Sequence, residues 1–99
     1  MKVEKPLFFE DFEVGQVYET GRQTLHEREI IEFGEKYAPL PYHTDPEAAK
    51  DSSFGTLVAA GYQTAAVTFG LFARTGALSL SGMGSPGVDS LRWKRPVKV

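Results

Sequence analysis

Apolar residues recur at three- and four-residue steps from Leu25 to about Tyr37, where Ile30, Phe33 and Tyr37 form a stripe that Ile31 widens. Glu29, Glu32 and Lys36 take the opposite face, so the spacing predicts an amphipathic helix lying on a core. Thr24 precedes Glu27 by three residues, a capping-box arrangement that would start this helix. Two prolines fall within residues 38–42, and the chain must turn there because proline lacks the N–H and clashes with the preceding helical turn. Asp45 before Pro46 then reads as an N-cap and first helical residue, opening a short helix over Glu47–Lys50 that stops at Asp51-Ser52-Ser53.

From Thr56 to about Thr75 the chain carries no charge before Arg74 and is rich in small residues. A segment apolar nearly all round predicts a buried central helix ending near Gly76; a pair of buried strands competes, and the alanine content and length favour helix. Strand-like runs flank these helices. Gln16–Thr24 contains Val17, Tyr18, Thr20 and Thr24 around Gly21, while Leu91, Trp93, Val97 and Val99 alternate with Arg92, Lys94 and Lys98. Arg95 and Pro96 break that alternation and predict a bulge or edge position. Residues 79–87 read as a flexible loop, and residues 1–15 as an arm packed by its aromatics.

A long apolar helix needs an extensive sheet or several helices to cover it, and two short strands cannot do that. The expectation is therefore a chain that borrows strands from another polypeptide, or the front part of a longer domain continuing past Val99. With 99 residues and 41% hydrophobic content, one domain over residues 1–99 is the most the chain can hold, near the size where a partner subunit helps stability.

Charge and composition narrow the chemistry. A net charge of −2 gives no reason to expect nucleic acid or an anionic membrane as partner. With no cysteine there is neither a disulfide framework nor thiolate chemistry, and two histidines leave no persuasive zinc site. Acids interrupt the apolar N-terminal cluster, and no window reaches the roughly 20 apolar residues that span a bilayer. A soluble, cytoplasmic domain is the default. Candidate chemistry concentrates between Tyr37 and Tyr62, which holds His43 and ends beside Gly61. On residues alone His43 is more simply a hydrogen-bonded structural group, His26 a solvated one, and the basic residues of 92–98 a wet strand face rather than a site for phosphates. Gly61 fits either close helix packing or a functional backbone approach.

FEDFEVGQ, PYHTDPEAAK, LVAAGYQT and LRWKRPV, in that order, resemble the MaoC-like dehydratases, the R-specific enoyl-thioester hydratase branch of the hot-dog proteins. The resemblance covers nearly the whole chain. It implies an α+β hot-dog fold, a curved antiparallel sheet around a long central helix, here apparently without its C-terminal strands. It also implies a homodimer or a strand-completing partner, no cofactor, and an enoyl- or 3-hydroxyacyl-thioester of CoA or a carrier protein as substrate. In the family loop D-x-N-P-x-H, or its variant with Gln, Asp and His grip the water that adds across the double bond. A backbone N–H at the start of the central helix polarises the thioester carbonyl.

Carried onto this chain, His falls on His43, Pro on Pro41, and the oxyanion donor on Gly61 or its neighbour, so Leu40, Pro41, Tyr42, Ala60 and Tyr62 would face substrate. The Asp position holds Ala38 and the Asn position Leu40, neither of which transfers a proton or donates a hydrogen bond. Asp45 is better explained as a helix cap than as a substitute. Two functions follow from the resemblance: a hydratase or dehydratase altered at Ala38, or a non-catalytic acyl-thioester-binding or structural subunit that completes its sheet with a partner chain.

Overall fold

Helix boundaries in the computed structural model, which describes residues 3–99, follow local chemistry closely. Helix α1 runs Glu27–Tyr37 and starts two residues later than the Thr24/Glu27 pair predicts, with His26 as its N-cap. The Glu29 carboxylate accepts the His26 N–H at 3.2 Å. The shift buries Leu25 just before the cap and Ile30 four residues into the helix, the arrangement of a hydrophobic staple, and that burial outweighs the threonine cap. Proline bars α1 from continuing, and two single-turn helices follow: α2 over Pro41–Thr44 and α3 over Pro46–Ala49. Asp45 caps α3 as expected, its carboxylate accepting from the N–H groups of Glu47 at 3.0 Å and Ala48 at 3.2 Å.

The segment 56–75 departs from its expectation. Residues 56–60 are not helical, and α4 begins only at Gly61 and runs to Ala73. Leu57, Val58, Ala59 and Ala60 are all buried, whereas Gln63 is the one buried residue of α4. An apolar run with no period does not distinguish a buried strand from a buried helix, and here its first residues stay outside α4, with Val58 in an isolated bridge. Past α4 the chain turns at Gly76, which adopts φ +84 as expected of a glycine after a helix end.

Tertiary contacts divide the chain into two units. One comprises Thr24–Ala66 and Leu91–Val99. Its core is Ile30 of α1, Ala49 of α3 and residues 57–60, and full burial of Ile30 alone contributes about 1.5–3 kcal/mol. The other unit takes residues through Gln23 with Val67–Ser90, where Tyr18 packs edge-on against Phe72 at 5.3 Å and Phe12 against Tyr18 at 6.4 Å.

The two strands expected over 16–24 and 91–99 do not form a ladder among the described residues. A single antiparallel bridge pairs Val58 with Lys98, and the Ala59 N–H donates to the Val97 carbonyl at 2.8 Å. Leu91, Trp93 and Val99, expected on the buried face of the second strand, are exposed. Alternation marks which side of a strand is apolar but supplies no neighbour, and a ladder requires one. Among the described residues no helix is long and apolar enough to cross a membrane.

Candidate active site

His43 is positioned by backbone on both sides. It sits in α2 and is buried, and the ring lies against extended residue Val58. Its Nδ1 is 2.7 Å from the Val58 carbonyl oxygen. A carbonyl only accepts, so Nδ1 carries the proton, and in the neutral ring Nε2 is left as a lone-pair acceptor. The Val58 N–H in turn donates to the Tyr42 carbonyl at 3.0 Å, so both polar groups of Val58 are spent on holding residues 42 and 43. Tyr42 meets the imidazole edge-on at 4.6 Å and Phe54 at 5.2 Å.

Gly34, which the sequence reading passed over, makes this possible. A Cβ there would lie 2.7 Å from the His43 carbonyl oxygen and 3.0 Å from its Cβ, so only glycine lets α1 come so close beneath α2. A glycine inside an amphipathic helix, where alanine is the better former, was the available signal.

A cavity of about 300 Å³ opens beside His43 within this unit. Tyr42, His43, Val58 and Gly61 line it together with Trp93 and the backbone run Lys94–Val97. Thus His43, Tyr42 and Gly61, expected at one site from residues 18 positions apart, do meet at one cavity. Ala38, Leu40, Pro41, Ala60 and Tyr62 are not among its lining residues. Ala38 instead ends α1, its N–H bonded to the Gly34 carbonyl at 2.9 Å, and Leu40 caps α2 with its side chain in solvent. Among the described residues no aspartate or glutamate lines the cavity, so its imidazole has no carboxylate beside it there. Among the described residues no cluster of three potential metal ligands occurs.

Trp93 was not singled out by residue patterning beyond the alternation of its strand. Its indole Nε1–H donates to the Gly61 carbonyl at 2.6 Å, and its ring lies where a Cβ on Gly61 would be, with ring atoms 2.6–2.9 Å from that point. Close approach of this ring therefore requires a glycine at residue 61.

An imidazole held by a backbone carbonyl and the first residue of a helix thus line one cavity. Residues 11–99 match the model of the MaoC like domain, and the chain belongs to that family. It is 36% identical to the MaoC-like dehydratase of Rhodospirillum rubrum, with a TM-score of 0.80 over 93% of this chain and 62% of that one. It is 26% identical to the monoamine oxidase regulatory protein of Archaeoglobus fulgius, with a TM-score of 0.78 over 99% of this chain and 67% of that one. These neighbours are MaoC-like hot-dog proteins, which places the present chain in that fold class without the sheet being formed among the described residues. Among curated relatives, Protein MaoC of Klebsiella aerogenes is 34% identical over 92 residues, and the uncharacterized protein YdeM of Bacillus subtilis 31% over 67. The chain spans 27% of the first and 48% of the second.

Proposed function

We propose that the His43 cavity is an enoyl- or 3-hydroxyacyl-thioester site of the hydratase and dehydratase type. The observation that carries this reading is the Nδ1 bond to Val58, which leaves Nε2 as the ring's proton acceptor at a cavity also lined by Gly61. In hydration, Nε2 would take a proton from water as its oxygen adds to the β-carbon, and a proton would then be delivered to the α-carbon of the enolate. Backbone N–H groups at the start of α4 would stabilise the enolate oxygen, since the first N–H groups of a helix have no intrahelical partner and sit at its positive end. The imidazole alone must serve both proton transfers, because Ala38 supplies no carboxylate. Losing one member of an acid/base pair costs on the order of 10²- to 10⁴-fold. Family membership supports the same assignment of chemistry.

The missing carboxylate also favours a second reading, a non-catalytic acyl-thioester-binding or structural subunit completed by a second copy or a partner chain. One assay separates them. A short enoyl-CoA loses its conjugated absorbance on hydration, and Ala38→Asp should raise the rate by on the order of 10²-fold or more. No absorbance loss with either the parent or the variant would rule out the catalytic reading and leave the binding one.

A further inference from the structure

We propose that Trp93 is a positioning residue for the start of α4 and that its ring is the wall of the His43 cavity against which the acyl thioester lies. The inference rests on the thioester reading of that cavity. Three observations converge on it. First, the indole N–H grips the Gly61 carbonyl at 2.6 Å. That carbonyl shares its peptide plane with the Tyr62 N–H, so the bond fixes the direction of one of the unpartnered N–H groups at the helix start. Second, the ring covers Gly61 at a distance no Cβ would allow, and Tyr62 brackets it edge-on at 5.3 Å with an interplanar angle of 76°. The indole is thus held from two sides at one orientation. Third, Trp93 remains 45% exposed and lines the cavity. A tryptophan serving only as core would be covered, whereas this one lines the cavity and stays nearly half exposed while its N–H is already spent on the backbone.

The sequence contains one tryptophan, so its signals report on this position alone. The experiment is a titration of the protein with butyryl-CoA, a saturated thioester that cannot be hydrated. It is followed by tryptophan emission, by the indole N–H proton resonance, and in parallel by calorimetry. The expected result is that emission and resonance both move and saturate at the same ligand concentration as the heat. Trp93→Phe, which keeps a ring but loses the N–H, should bind about 2- to 10-fold more weakly and exchange the amides of residues 61–63 faster. Binding heat with unmoved tryptophan signals overturns this inference and leaves the thioester site intact. Absence of both heat and signal overturns the thioester site and the inference with it. Should Trp93→Phe fail to fold, the titration of the parent protein decides alone.

Discussion

At residue 45 the chain offers a carboxylate two positions after His43, and its hydrogen bonds decide what it does. Both bonds go to backbone N–H groups of α3, at 3.0 and 3.2 Å, and Asp45 is not among the cavity residues. Replacing an N-cap aspartate by alanine typically costs about 1 kcal/mol, within a range of about 0.5–2. Asp45→Ala should therefore lower the urea midpoint by an amount corresponding to that loss. Any effect of the same variant on thioester affinity should be far smaller than that of His43→Ala. Gly61→Ala meets a different limit. The new methyl would fall within the Trp93 ring, and overpacking of this kind costs about 1–3 kcal/mol unless the neighbour moves. Because Trp93 is half-exposed, the expected relief is that the indole swings outward and its bond to the Gly61 carbonyl breaks. A red shift of emission to that of free indole in water is the predicted readout; an unshifted spectrum would mean the ring does not depend on glycine.

Among the elements, the pairing of α1 with α2 has the sharpest dependence on one position. Gly34→Ala should gain about 1 kcal/mol from helix propensity, yet its Cβ would sit 2.7 Å from the His43 backbone oxygen, which cannot turn aside as a flexible side chain could. The clash should prevail and leave a net loss of about 1–3 kcal/mol in chemical unfolding, with weakened thioester binding as α2 shifts. A more stable Gly34→Ala protein would show that α1 and α2 are not packed this closely. The body of α1 and the cap of α3 were legible from residues because a 3.6-residue period and an Asp-Pro pair are local signals, whereas α2 was expected only as a turn and the α1 cap fell at His26 rather than Thr24. The start of α4 was not, because residues 57–60 are uniformly apolar and carry no period. The site was half legible. His43, Tyr42 and Gly61 were found together through family resemblance, but Val58 acts through its backbone and Trp93 approaches from 32 residues away, so neither contact leaves a mark in local pattern.

For the whole molecule, the exposed apolar side chains carry the consequence. Phe9, Val17, Phe69 and Leu91 lie in solvent in the single chain, and residues 91–99 meet residues 58 and 59 through little more than one bridge. Unpaired extended backbone beside apolar side chains is a template for strand addition. Under the proposal that a second copy or a partner chain completes the sheet, light scattering of the purified protein should give at least twice the 10.9 kDa of one chain. A cooperative melt that depends on protein concentration should accompany it. A concentration-independent monomer with a sharp thermal transition would contradict completion by another chain.

The central claim is that His43 is the proton-transfer group of a thioester site, and the most direct measurement keeps the carboxylate restored while removing the imidazole. The rate at which Ala38→Asp protein consumes the conjugated absorbance of a short enoyl-CoA is compared with that of Ala38→Asp/His43→Ala. The account predicts a fall on the order of 10²- to 10⁴-fold on removing the imidazole, with the far-ultraviolet spectrum unchanged. Equal rates for the two folded variants would contradict it.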